Sequence, residues 1–210
     1  MDKNFPKQIP VFPLSGVIYF PRTNLPLNIF EERYLDLVND SFRKDKLMGM
    51  VQSKRENNLV YRVGCLGKIS DYQETSDGRV LINLTGITRF EIKKEITNEK
   101  KYREFEVDYK KFYKDLLVQE KNESPYNKLG FMEKIKKFFE KNGLMINWKE
   151  FEKLDEAQRI NTLSMIAPIS NEEKQKLLET VTLDDKTSTL LNIIKFYSYE
   201  NTSDKDETVN

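Results

Sequence analysis

Apolar positions in the first thirty residues come in short runs cut by proline: Val11-Phe12, Val17 to Phe20 and Leu25-Pro26-Leu27, with Pro6, Pro10, Pro13, Pro21 and Pro26 between or within them. Proline has no N–H for a sheet ladder and is confined to strand ends, edges and bulges. The pattern therefore predicts short strands turning the corners of a barrel or curved sheet, and it excludes a long helix. At Glu31 the period changes. Phe30, Tyr34, Leu35, Val38 and Phe42 recur at helical spacing, with Glu31 and Glu32 at the start and Arg43 and Lys44 at the end, the charge order a helix dipole favours. One amphipathic helix is thus inserted among strands. Strand patterns return over 47–52, 64–72 and 79–84, the last two joined by Thr75-Ser76-Asp77-Gly78, a hairpin turn in which Gly accepts positive φ. Over 101–111, Phe105, Val107 and Tyr109 alternate with Glu104, Glu106 and Asp108, the period-2 pattern of a half-buried strand, and the β part ends near 113.

The second half has a helical period. Leu129, Met132, Ile135, Phe138 and Phe139 form one stripe, stopped by Asn142-Gly143. A second helix spans about 154–166, ahead of Pro168. Ser170 with Glu173 forms a capping box for a third helix through Val181, and Thr182 can cap a fourth carrying Leu190, Leu191, Ile194 and Tyr197. The junction falls at 120–125. The expected organisation is a β domain over 1–119, a helical bundle over 120–200 and a polar, acidic, disordered tail over 201–210.

Composition narrows the chemistry more than the fold. The chain has no histidine, which removes Ser-His-Asp and Cys-His catalysis and the commonest metal ligand. Its single cysteine, Cys65, can form no internal disulfide or zinc cluster and reads as a buried structural thiol of a reducing compartment. No apolar run is long enough to cross a membrane and no signal peptide opens the chain, so a cytoplasmic protein without a membrane partner is expected. With 35 Lys and Arg against 34 Asp and Glu, the net charge of +1 supplies no global field toward nucleic acid.

Four local features invite a functional reading. Gly64-x-x-Gly67-Lys68 resembles part of a phosphate loop, but its spacing and strand-like flanks make it a structural turn. Glu104, Glu106 and Asp108 lie on one strand face among basic residues and read as a solvated face. Over 93–114 the basic residues outnumber the acidic ones by three, and Tyr102, Phe105, Tyr109, Phe112 and Tyr113 are interleaved. Single-stranded nucleic acid binders combine such charge and rings, so RNA binding through this segment is the alternative function. In the helical half, exposed aromatics such as Phe131 or Trp148 could line a groove for a partner segment.

The stretch over 9–38 carries Pro13, Leu14, Phe20, Pro21, Pro26, Leu27, Ile29, Phe30, Glu31, Arg33 and Tyr34 in a pattern that resembles the opening of the Lon protease N-terminal, substrate-binding domain. A second block over 63–92, with Gly64, Gly67, Ile69, Asp77, Gly78, Arg79, Gly86, Arg89 and Phe90, resembles that family's hairpin, and 163–194 resembles its helical part. The resemblance implies an α+β fold: a PUA-like β pseudo-barrel with one inserted helix, followed by a C-terminal helical bundle. It also implies a stand-alone member lacking the ATPase and protease domains, a non-catalytic module with no cofactor or metal. Such a module would bind unfolded or degron-bearing protein segments, with a separate protease as a second partner, as a monomer or weak homodimer. Arg33, Tyr34, Arg89 and Phe90, with Phe131 and Trp148, are the candidate interaction residues, though the first four can equally serve the barrel itself.

Overall fold

The protein is described by a computed structural model over residues 5–54, 59–117 and 130–203. The chain divides into two compact units, 1–117 and 118–210. In the first, the strands are β1 (Gln8–Leu14), β2 (Asn24–Ile29), β3 (Leu47–Gln52), β4 (Val63–Glu74), β5 (Val80–Ile96) and β6 (Arg103–Asp108), with helix α1 (Glu32–Phe42) between β2 and β3. A 3-10 helix, Lys110–Leu116, follows β6. The sheet order is β2-β5-β4-β3-β1-β6, and β5 also pairs with β6, so five strands close on themselves and β2 lies outside the ring on β5. All pairings are antiparallel except β1 with β3. Pro26 sits in β2, the edge strand, where a missing donor costs least. The hairpin forms at 75–78, with Thr75 N–H donating to Arg79 O at 2.9 Å and Gly78 at φ +83°.

The barrel interior holds Ile9, Val11, Leu66, Phe90, Ile92, Phe105 and Val107. Phe90 is fully buried, and it fits because Gly64 on β4 has no Cβ: an added one would lie 2.7 Å from the Phe90 ring and 2.4 Å from Met50 O. Strand alternation puts Arg89 on the outer face of β5. That face is covered too. Arg89 is 3% exposed because the 3-10 helix lies over it: Asp115 accepts from the Arg89 backbone N–H at 3.0 Å, from Nε at 2.9 Å and from Nη2 at 2.7 Å, and Phe112 lies 4.4 Å beneath the guanidinium.

The α1 helix is shifted from its sequence expectation. Phe30 and Phe42 are exposed and Leu35 is half-buried, while Tyr34, Leu37, Val38 and Ser41 are buried. Glu31 is the extended N-cap, with ψ 131°, so Phe30 precedes the helix and does not share its face. Gly67-Lys68 lies within β4, where a Cβ on Gly67 would strike Leu84 and the Tyr19 hydroxyl at 2.6 Å; it opens no helix and cradles no phosphate.

The second unit contains α2 (Phe131–Lys141), α3 (Trp148–Phe151), α4 (Glu156–Ile166), α5 (Asn171–Glu179) and α6 (Leu183–Ser203), with α2, α4 and α5 each packing on α6. Capping residues set four of the starts, that of α3 through Asn147 Oδ1, which accepts from Glu150 N–H. Asp155 and Gln158 form a capping box at α4, Ser170 and Glu173 another at α5, and Thr182 Oγ accepts from Asp185 N–H at α6. The short α3 and the Asp155 cap were not legible as periodicity. The core contains Ile135, Phe138, Phe139, Ile160, Leu163, Leu177, Leu190 and Ile194. α6 reaches Ser203, past the expected start of the tail; 204–210 lie outside the described residues, as do the expected junction at 120–125 and Leu129. No described helix is long and apolar enough to cross a membrane.

Gly64→Ala is expected to lower unfolding stability by about 1–3 kcal/mol through overpacking against β3 and Phe90. Arg89→Ala, which strands the Asp115 carboxylate, should cost about 3–5 kcal/mol. Urea unfolding of the single variants against the parent checks both, and a Gly64→Ala midpoint equal to the parent's would refute the close approach.

Candidate functional site

β1 changes partners along its length. Gln8–Val11 lie against β6, and Val11–Leu14 lie against β3. β6 begins at Arg103, opposite Val11, so beyond that point β1 has no described strand on its β6 side. Lys7 O accepts from Val107 N–H, and alternation then turns the peptide groups of residues 9, 11 and 13 to the same side. Leu14 O, on the opposite side, accepts from Ser53 N–H at 3.1 Å, in agreement. The residue whose N–H would face the open edge is therefore Pro13, which has none.

A cleft of about 720 Å³ occupies this gap. Phe12, Pro13, Leu14, Tyr34 and Leu59 give it apolar walls, Ser15 and Ser53 lie at its sides, and Glu31, Arg33, Glu95 and Arg103 form a charged rim. Phe12 and Tyr34 meet edge to face at 4.3 Å between ring centres, which fixes α1 against β1. The α1 helix is held from its other side by Lys101, paired with Glu32, and by the Tyr102 hydroxyl, which donates to Asp40 at 2.7 Å.

The rim is internally compensated. Arg33 Nε and Nη2 donate to Glu31 at 3.0 and 2.7 Å, and Arg103 Nε and Nη2 donate to Glu95 at 2.7 and 2.6 Å. Each guanidinium is also backed by a ring, Arg33 by Tyr34 at 4.6 Å and Arg103 by Phe105 at 4.9 Å. The bond from Arg103 holds the Glu95 carboxyl below its ordinary value, and burial pushes the Tyr34 hydroxyl up.

Of the six candidate interaction residues, the cleft brings together Arg33 and Tyr34 alone. Arg89 and Phe90 are buried in the barrel wall and core, and they hold the fold. Phe131, expected to be exposed, is buried in the helical unit because it starts the inward stripe of α2. Trp148 is half-buried, packed edge-on against Phe139 and Phe151 with the Lys136 ammonium 5.2 Å from its ring. Sequence reading missed Glu95 and Arg103 as neighbours of Phe12 and Pro13, because they come from β5 and β6, far from β1 along the chain. The proline was visible; the ladder gap beside it was not.

In the basic and aromatic segment at 93–114, Lys110, Lys111 and Lys114 are exposed, while the other five basic residues are engaged. Lys93, Lys94, Lys100, Lys101 and Arg103 all pair with carboxylates. Tyr102, Phe105 and Phe112 are buried and Tyr109 is half-buried, which leaves Tyr113 as the one exposed ring. On the same strand, Glu104 and Glu106 accept from Lys100 and Lys94, and Asp108 accepts from the Lys110 N–H at 2.7 Å, the bonding of a solvated charged face.

The depressed Glu95 value has a definite sign. A carboxylate held below its unfolded value of 4.5 contributes stability that is present above about pH 4.5 and lost as pH falls through the lowered folded value. A carboxyl NMR titration should place the Glu95 midpoint below 4.5, and Arg103→Ala should return it toward 4.5; an unchanged midpoint in that variant would remove the ion pair as the cause.

The family described as the ATP-dependent protease La (LON) substrate-binding domain matches residues 8–195. A Lon protease from Malacoplasma penetrans is 27% identical over 192 residues, covering 84% of this chain, and one from Dictyoglomus thermophilum is 23% identical over 196 residues, covering 88%. The chain spans 24% of the length of each. Among solved structures, the Lon N-terminal domain protein from Xanthomonas campestris superposes with a TM-score of 0.63 at 20% identity, covering 88% of this chain and 97% of that one. The likeness in structure shows a shared α+β fold, and the match over 8–195 shows the family: this chain belongs to the LON substrate-binding domain family.

Proposed function

We propose that this chain recognises exposed segments of unfolded or degron-bearing proteins in the cytoplasm and supports their proteolysis by a protease partner, without catalysing a reaction itself. The observation that carries the reading is the cleft beside β1, with Pro13, Leu14 and the exposed Leu59 in its walls and a rim whose charges are already paired. Such a site suits a protein segment, since these side chains offer apolar contact and a neutral rim tolerates varied sequence. Family membership supports a substrate-recognition role in proteolysis. The histidine-free composition supports binding over Ser-His-Asp or Cys-His chemistry. Paired charges at Lys93, Lys94, Lys100, Lys101 and Arg103 and the burial of Tyr102, Phe105 and Phe112 favour a protein ligand over RNA at this segment.

Titrating the protein with a permanently unfolded model substrate, such as a reduced and carboxymethylated protein, should give saturable binding that the same substrate in its native fold does not give. No binding to any of several unfolded proteins would overturn the reading. A labelled single-stranded RNA should show no salt-sensitive mobility shift at low ionic strength, and a shift lost on charge reversal at Lys100 and Lys101 would favour RNA instead.

A further inference from the structure

We propose that the loop between α2 and α3 attaches the chain reversibly to an anionic lipid surface, with Met145 and Leu144 entering the interface and Lys141 and Lys149 meeting the headgroups. The inference stands apart from the recognition role above and uses no residue of the cleft.

The loop is a protruding apolar tip on a fixed base. Met145 is 100% exposed, and Leu144 beside it is 37% exposed. The backbone on either side is held. Asn142 N–H donates to Phe138 O and Phe139 O, Gly143 N–H to Glu140 O and Leu144 N–H to Phe139 O, with Gly143 at φ +72° turning the chain. At the far end Asn147 Oδ1 accepts from Glu150 N–H and starts α3. The ends of the loop thus satisfy their amides within the protein, as a segment leaving water for a lipid interface requires. Trp148 follows at once, half-buried on Phe139 and Phe151, a ring type suited to the boundary between apolar and wet surroundings.

The charge around the tip gives the sign of the partner. Over 133–153 six lysines stand against four glutamates, a surplus of two. Three of those glutamates are taken up, Glu133 by Lys137, Glu150 by Lys153 and Glu152 by Lys136. Lys141 and Lys149, exposed on either side of the tip, have no ion pair among the described residues. Free cationic charge therefore flanks Met145, although the chain as a whole carries only +1. An apolar tip and flanking cations, each weak alone, together hold a protein on an anionic membrane.

Other occupants fit less well. A side chain wholly in solvent offers a peptide no hollow to enter, so the tip is the inserting element. A second copy meeting it symmetrically would bring Lys141 and Lys149 against the same lysines, which like charge opposes. The attachment is peripheral, since no described helix is long and apolar enough to cross a membrane.

Sedimentation of the full chain with vesicles of phosphatidylcholine, alone or mixed with phosphatidylglycerol, tests the proposal. The mixed vesicles should carry the protein down and added salt should release it, while phosphatidylcholine alone should carry down much less. Met145→Glu, at a position fully in solvent, should keep the parent's circular dichroism and lower partitioning about tenfold or more, the range for burying one such side chain. Lys141→Ala and Lys149→Ala should each lower it roughly fivefold. Trp148, the single tryptophan, should shift its emission to the blue and be quenched by lipids brominated near the headgroup. Tyr113→Glu, at an exposed ring of the 3-10 helix among Lys110, Lys111 and Lys114, should bind as the parent does. No binding to the mixed vesicles overturns the proposal, and so does loss on Tyr113→Glu with Met145→Glu unaffected. Equal binding to both kinds of vesicle overturns recognition of the anionic headgroup. Self-association of the parent that Met145→Glu abolishes, without vesicle binding, assigns the tip to a second copy instead. None of these outcomes depends on whether the chain binds unfolded protein.

Discussion

The first unit depends on β5. Its 17 residues pair with β2 and β4 along the first part of the strand and with β4 and then β6 further on, and the β5–β6 pairing turns an open sheet into a ring. A strand of that length can serve several partners only if it bends. Register shifts occur at Leu66/Gly67 and Ile69/Asp71 against β4 and at Ile92/Lys94 against β6. Bulges of this kind raise local twist, and here they allow a short strand, β6, to meet both β5 and β1. Closure gives five of the six strands a partner on each side over at least part of their length, and β2, the one left outside, carries Pro26.

Closing the ring makes the outer face of β5 the place where the chain can be fastened from outside. Arg89 there is buried, against the expectation for an arginine on a strand's outer side, because the 3-10 helix supplies a carboxylate from Asp115 and a ring from Phe112. A buried ion pair of this kind adds little net stability compared with apolar packing, but breaking one side of it is costly. Its effect is to fix where the segment after β6 lies.

The cleft is a by-product of the same topology. β1 is longer than its overlap with β6, so closing the barrel leaves a stretch of β1 uncovered, and α1 and the β5–β6 ends bring Tyr34, Arg33, Glu95 and Arg103 around it. An uncovered strand edge invites aggregation, and Pro13 at that edge blunts it. The residue that protects the edge also lines the hollow beside it.

Much of the local structure was legible in the sequence, since turns, caps and periodicity are set by neighbouring residues. The 75–78 hairpin followed from Asp77-Gly78, α5 from Ser170 and Glu173, and the start of α6 from Thr182. Where local and distant forces compete, periodicity misled: Phe30 fits the helical stripe on paper but lies before the Glu31 cap, and Phe131 and Arg89 are hidden by partners far away in sequence or by their own helix's packing. The candidate residues divided the same way, with Arg33 and Tyr34 reaching a cleft while Arg89 and Phe90 serve the barrel. By itself the sequence determined the types of elements and their ends, through backbone preferences that act over a few residues. Only the tertiary structure decided which strand runs out first, and with it the gap beside Pro13, because strand overlap and ring closure depend on pairings between residues as distant as Val11 and Arg103.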